Sequence, residues 1–259
     1  MFKSILNKIL KKYYLFGDNE VIILDYLSNF SNSLVNPRKY YLFCYKYFHR
    51  YLVNELVLHR RFFQTDKRGF GEDAFHVMWY LIFKKYRPKT ILEVGVYRGQ
   101  TLSLFSLLSH KLNINSEIHG ISPFTSSGDK VSKYLEGLNY YVDVLKNFND
   151  FSLPTPNLHK GFSNEFIMKK VIDSKPWDLI YIDGNHDYEI VKQDFTNCSL
   201  NLKSGGLIVL DDSALYTAYK PYSFSTAGHP GPSKIAQEID RKLFKEMLSV
   251  GHNRVFKRI

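Results

Sequence analysis

Cysteine is nearly missing from this chain of 259 residues. Its two copies, Cys44 and Cys198, are too few for a disulfide framework and form no metal-ligand cluster. Such usage suits a reducing compartment, and a cytoplasmic setting is the expectation. Also lacking is any apolar run approaching the roughly 18–20 residues that cross a bilayer. The opening stretch MFKSILNKILKKYYLF has no uninterrupted apolar segment and no clear cleavage site, so secretion is not expected. There is no internal repeat and no low-complexity linker. The length fits one large domain, or one domain with an appended element.

Positive charge and aromatic rings are plentiful. The net charge of +10 is uneven: residues 1–90 hold 16 Lys/Arg against 7 Asp/Glu, and the remainder holds 19 against 18. Residues 1–64 therefore read as a basic, aromatic-rich helical extension, and residues 65–259 as the main domain. Within the extension, Phe2, Ile5, Leu6, Ile9, Leu10 and Tyr13 recur at helical spacing, with Lys3, Lys8, Lys11 and Lys12 mostly off that stripe. Such a helix usually docks on its own domain or on a second subunit, which makes a homodimer one expectation. Peripheral contact with an anionic membrane is the less favoured reading. Further helices are expected over residues 20–62, broken near Asn36-Pro37.

From residue 69 the pattern becomes alternating. Apolar strand-like runs (KTILEVGV, EIHGIS, NLHKGF, WDLIYID, GGLIVLDD) are separated by helical stretches, among them VSKYLEGLNYYVDVLKNF. Continuous Ile, Leu and Val in each run point to a parallel sheet covered on both faces. Two last strands around Gly251-His252-Asn253 read as a closing hairpin. The expected fold is α/β, a doubly wound, mostly parallel Rossmann-like sheet. Ligands bind such sheets beyond the carboxyl ends of the strands.

The first strand runs into LEVGVYRGQT, residues 92–101. Gly95 and Gly99 permit a sharp turn and close approach to a ligand. The spacing is G-x-x-x-G rather than the dinucleotide G-x-G-x-x-G. Glu93 just before it repels phosphate and suits a cationic or amine-bearing ligand. ILEVGVYRGQT resembles motif I of the class I S-adenosylmethionine-dependent methyltransferases, especially the catechol and macrolide-sugar O-methyltransferase branches. The resemblance extends over roughly residues 65–259. It implies that Glu93, Gly95, Val96, Tyr97, Gly99 and Thr101 surround the methionine part of S-adenosylmethionine. It also implies that Phe70, Gly71 and Glu72 form a lid before motif I, and that Ser163 in KGFSNE lies near the adenine. One position departs from the family pattern. Where an acid usually grips both ribose hydroxyls, HGISPF offers Ser122, and Asp129 in the following loop is a candidate substitute.

The fourth strand ends at Asp183 and the fifth at Asp211-Asp212. Neighbouring parallel strands place their ends on one rim, and carboxylates crowded there repel unless a divalent cation intervenes. Ligation by oxygen without Cys or clustered His selects Mg²⁺, Mn²⁺ or Ca²⁺ over zinc. The spacing of 28 residues between Asp183 and Asp211, with the second acid doubled, is similar to that of the metal-dependent O-methyltransferases. The resemblance assigns Asp183, Asp211 and Asp212 to Mg²⁺ or Mn²⁺, with Asp183 also at the cofactor boundary and paired with His186 in catalysis. His186 stands where that family carries its general base. A neutral imidazole there would take the proton from an attacking hydroxyl. His76 and His119 read as structural, and His229 as a loop residue near the cleft. The aromatic stretch with Tyr216, Tyr219, Tyr222 and Phe224 reads equally as a stacking platform for the acceptor or as a folded cover.

The expectation is thus a cytoplasmic, metal-dependent O-methyltransferase acting on a sugar or small-molecule hydroxyl. The rival from another class is a nucleic-acid-binding protein, or an RNA methyltransferase, using the basic N-terminal region. Nucleic acid is disfavoured as a partner, because the chain lacks an Asn/Asp-Pro-Pro-Tyr run and an aromatic RNP-type strand. A third reading is an inactive scaffold, against which the intact acid and histidine set argues.

Overall fold

The computed structural model describes residues 24–129, 131–132 and 134–259; the amphipathic helix expected over residues 2–13 lies outside them. Helices α1 (Leu24–Ser28), α2 (Ser31–Val35), α3 (Pro37–Arg50), α4 (Asn54–Gln64) and α5 (Asp73–Tyr86) precede the first strand. Then follow β1 (Thr90–Val94), α6 (Gln100–Lys111), β2 (Glu117–Ser122), α7 (Tyr140–Asp150), β3 (Asn157–Lys160), α8 (Phe166–Ile172), β4 (Trp177–Ile182) and α9 (Tyr188–Leu200). The chain closes with β5 (Leu202–Leu210), α10 (Pro230–Glu238), β6 (Phe244–Val250) and β7 (Asn253–Arg258). No helix among the described residues is long and apolar enough to cross a membrane.

The seven strands lie in the order β3-β2-β1-β4-β5-β7-β6. The first five are parallel, and β7 enters antiparallel between β5 and β6. Strand side chains alternate between two apolar layers, as period-two geometry demands. Ile91, Leu179, Tyr181, Leu207 and Val209 join the core under α3, α5 and α6. Leu92, Val94, Ile180, Ile182, Ile208 and Leu210 join the core under α8, α9 and α10. The order reverses between β1 and β4, so the crevice for a ligand opens beyond their carboxyl ends.

One boundary differs from the sequence reading, and one expected break is explained. The expected helix over residues 131–148 begins only at Tyr140. Gly137 sits at a positive φ of 74°, and the Asn139 side chain accepts the Val142 amide at 3.1 Å, so the helix is capped there and residues 134–139 lie outside it. The break at Asn36-Pro37 is likewise a cap: the Asn36 side chain accepts the Lys39 amide at 3.1 Å, with Pro37 in the first turn.

Helices α3 and α4 share the core of the sheet's first face: Tyr40, Tyr41, Phe48 and Leu56 are buried in the same cluster as Leu179 and Val209. Asp73, at the start of α5, ties them polarly. It accepts Arg60 Nε at 3.1 Å and Gln64 Nε2 at 2.7 Å, and His49 Nε2 lies 3.1 Å away. Burial alone would raise the Asp73 pKa, but His49, Arg60 and Arg61 hold it well below the usual carboxylate range. Removing one partner of a buried pair strands the other charges. Asp73→Ala should therefore lower stability by about 3 kcal/mol in urea unfolding at pH 7; an unchanged midpoint would refute this anchoring role.

Candidate functional site

Backbone contact between the β1 and β4 loops builds the floor of the crevice. Gly95 has φ 101°, and a Cβ on it would sit 2.1 Å from the Asp183 carbonyl oxygen. Any side chain there collides with backbone, which explains the glycine. The Asp183 amide donates to the Val94 carbonyl at 2.8 Å, and the Asp211 amide to the Ile182 carbonyl at 3.0 Å. These bonds carry the ladders one step past the strands and set two acids side by side.

Three carboxyls meet here, with Glu93 buried and Asp183 and Asp211 half-buried. Glu93 is 3% exposed and its Oε2 has no hydrogen-bond partner. Burial, and then Asp211, pushes its pKa well above the ordinary range. Burial also raises Asp183, with Asp211, Glu93 and Asp212 adding to it. The pKa of Asp211 is likewise raised by burial, against the opposing pull of His252. Asp211 Oδ1 is buried and takes no hydrogen bond.

Three histidines close on the same rim. His252, in the β6–β7 turn, places Nε2 3.4 Å from Asp211 Oδ1 and Nδ1 3.8 Å from Asp212 Oδ1. Its Nδ1 is also 3.9 Å from Glu72 Oε1, and its ring packs on the edge of Phe75. Burial works to lower the His252 pKa, and Asp211, Glu72 and Asp212 together raise it. His186 Nε2 lies 2.8 Å from Asp212 Oδ2, and Nδ1 is bonded to Asp129 Oδ2. His229 Nε2 is 3.9 Å from Asp212 Oδ2.

The neutral His186 of the sequence reading is corrected. Burial would lower its pKa, but the carboxylates of Asp212 and Asp129 outweigh that and push it up to about 9. Without a cation at the rim, these two carboxylates favour the charged ring. Asp129 is corrected too. Its Oδ1 accepts the amides of Val131 and Ser132 at 3.0 and 2.7 Å. Its Oδ2 accepts the amide and the ring of His186. Its acceptor positions are filled, so it orients His186 and has none left for a ribose.

Nor is the rim oxygen-only. Ligand atoms of Asp211, Asp212 and His252 lie within 4.8 Å of one another, as do those of His186, Asp212 and His229. Asp183 belongs to neither set and is bonded to Asp211. Crowded acids whose pKa values burial raises, with an Asp211 oxygen that takes no hydrogen bond, are what a divalent cation would relieve, so the residues fit one.

Two cavities meet at Phe70, Gly95, Tyr97 and Asp183. The first, about 390 Å³, is also lined by Val96, Ser122, Ser163 and His186. The second, about 260 Å³, is lined by Gly71, Glu93, Thr101, Asp211, Asp212, His229 and His252. Gly99 lines neither; its φ of 79° starts α6, and a Cβ there would press on Val144. The aromatic loop is a cover: Tyr219 and Tyr222 pack on Tyr41, and Phe224 on Tyr45, while Tyr216 is exposed. His76 bonds His59 at 3.1 Å, and His119 bonds His159 at 2.9 Å.

Two lining residues escaped the sequence reading. His252 gave no local signal, since only the insertion of β7 beside β5 brings its turn to the rim. Asp194 did give one, as an acid on the stripe Ile190, Val191, Asp194, Cys198 of α9. It lines the first cavity, is 2% exposed, and its Oδ1 has no partner. Burial pushes its pKa up from 3.8 to about 6, partly offset by the Ser163 hydroxyl. A folded-state pKa raised for an acid means that stability falls as pH rises from about 4 to about 6. Asp194→Asn should accordingly be more stable than the parent by about 1–2 kcal/mol at pH 7 without ligand. The gap should close near pH 4 in paired thermal melts; a pH-independent difference would refute the assignment.

Residues 92–213 match the family model of a methyltransferase domain. An uncharacterized protein of Acanthamoeba polyphaga mimivirus is 27% identical over 196 residues, 72% of this chain and 78% of that protein. Among solved structures, one described as a caffeoyl-CoA O-methyltransferase from Staphylococcus aureus is similar with TM-score 0.57 and 14% identity, covering 81% of this chain and 94% of its own. The S-adenosylhomocysteine-bound Podospora anserina methyltransferase PaMTH1 gives 0.55 at 14%, over 80% and 89%. The O-methyltransferase TomG of Streptomyces achromogenes, in complex with S-adenosylmethionine, gives 0.54 at 13%, over 82% and 94%. At such identities the structural likeness speaks for the fold.

Proposed function

We propose that this chain, whose residues 92–213 match a methyltransferase domain, is a class I S-adenosylmethionine-dependent enzyme that methylates a hydroxyl oxygen of a sugar or small natural product with the help of Mg²⁺ or Mn²⁺. The observation that carries the reading is the junction of two cavities at Gly95, Tyr97 and Asp183, with the acid and histidine rim on the acceptor side. The donor occupies the first cavity, with its sulfonium methyl at the junction. The acceptor occupies the second, beside Asp211, Asp212 and His252.

The chain's own residues divide the work. Glu93, buried without a partner on its Oε2, lines the second cavity, so the ammonium end of the donor crosses the junction to reach it. Asp129 holds the Nδ1 side of His186, so that Nε2 is the nitrogen presented to the rim. Nε2 accepts the proton of the acceptor hydroxyl as its oxygen attacks the methyl carbon and the carbon–sulfur bond breaks. The walls hold oxygen, methyl and sulfur in line, and such positioning supplies much of the rate. Asp211, Asp212 and Asp183 would hold the cation, with His252 offering a nitrogen that favours Mn²⁺ over Mg²⁺. Bound there, a cation lowers the pKa of a hydroxyl and fixes its oxygen.

Methyl transfer from labelled S-adenosylmethionine to a panel of nucleotide sugars, glycans and catechols tests this directly. Activity should need the divalent ion and fall by about 10²–10⁴-fold in His186→Ala, the range for lost general-base help. Full activity in EDTA or in His186→Ala would contradict the proposal.

A further inference from the structure

His229 has no part in the reaction proposed above, yet the chain fixes it beside the candidate base. Gly228 has φ 93°, and a Cβ on it would sit 2.2 Å from the Asp212 carbonyl oxygen, so a glycine is needed for the loop to lie against the chain just past β5. The next amide, that of His229, donates to the same carbonyl at 2.8 Å. His229 precedes α10, but its side chain makes no cap bond there. The ring stands at the rim instead, its centroid 4.3 Å from that of His186.

Asp212 faces two ways. Its Oδ1 is 3.8 Å from His252 Nδ1, on the side assigned to the catalytic cation. Its Oδ2 is 2.8 Å from His186 Nε2 and 3.9 Å from His229 Nε2, and the ligand atoms of these three residues lie within 4.8 Å of one another. A tetrahedral zinc ion with bonds of about 2.0–2.2 Å spans ligand pairs about 3.3–3.6 Å apart, between those two separations. The His186 ring is already oriented for such use: its Nδ1 is bonded to Asp129 Oδ2, the carboxylate–histidine arrangement that stands behind metal-bound imidazoles. Side-chain exposures of 18% at His186 and 39% at His229 leave a way in for an ion.

We propose that His186, Asp212 and His229 form a second metal site, selective for a late transition-metal ion such as Zn²⁺, and that its occupation takes the base out of use. Two imidazoles and one carboxylate favour zinc over Mg²⁺, which prefers oxygen, and over Mn²⁺, which stands lower in the order of divalent affinities. The ion replaces the proton of the Nε2–Oδ2 hydrogen bond, and that proton leaves to solvent. Nε2 then has no lone pair for an acceptor hydroxyl, while a fourth position on the ion stays open to water. The blocking rests on the reading of His186 as the base; the site itself does not.

Calorimetric titration of the full chain with zinc chloride, on the parent, His229→Ala and His252→Ala, tests the site. The parent should bind zinc in an event that His229→Ala weakens by at least about tenfold, the lower end of what even an outer-shell partner contributes. His252→Ala should leave that event in place. His229→Gln serves the same comparison should the alanine variant fail to fold. No zinc binding by the parent, or equal affinity in the His229 variant, overturns the site and leaves the reading of the catalytic cation intact. Methyl transfer by the zinc-loaded parent should fall by about 10²-fold or more, as when general-base help is lost. At the same zinc concentration His229→Ala should lose less, each protein measured against its own zinc-free rate. Full activity of the zinc-loaded parent overturns the blocking, and the reading of His186 as the base with it.

Discussion

Carboxyl groups buried within reach of one another at the ends of β1, β4 and β5 are the constraint on which the site depends. Glu93, Asp183 and Asp211 cannot all ionise in that place. The protein answers in two ways without any ligand: the pKa values of Asp183 and Asp211 are raised, and imidazoles at 186, 229 and 252 gather around Asp211 and Asp212. Both are states that a divalent cation would replace with a tighter arrangement. The excess of negative charge also raises the pKa of His186, so the same crowding governs the candidate base.

Topology supplies each partner from a different part of the chain. The acids come from the strand ends, where order reverses between β1 and β4. His186 comes from the turn after β4, fixed by a loop residue, Asp129, that belongs to the β2–α7 connection. His252 arrives only because β7 runs antiparallel between β5 and β6. Glu72 stands just before α5, and that helix is tied through Asp73 to α4. Residues 24–64 therefore share their core with the sheet that bears the site.

The fold was legible because strand and helix periods are local properties. Leu92-Glu93-Val94 and Ile180-Tyr181-Ile182 announce a sheet buried on both faces, and Gly95 announces the close approach that its contact with Asp183 requires. The acids Asp183, Asp211 and Asp212 were legible as strand ends. Charge states were not, because they depend on neighbours brought from afar: His186 reads as neutral until Asp129 and Asp212 are placed on either side of it. Asp129 itself reads as a ribose ligand until its acceptor positions are counted. The late start of α7 was hidden by an apolar pattern that continues across Gly137. His252 was out of reach of any local pattern, whereas the acid in the apolar stripe of α9 was a visible anomaly.

Binding of a divalent cation at the rim tests the central claim most directly. Mn²⁺ titrated into the full chain in the presence of S-adenosylhomocysteine, followed by calorimetry, should show a single ion per chain. That binding should be lost in Asp211→Asn and in Asp212→Asn, each of which removes a charged ligand. No cation binding, or binding unchanged in both variants, would contradict the account.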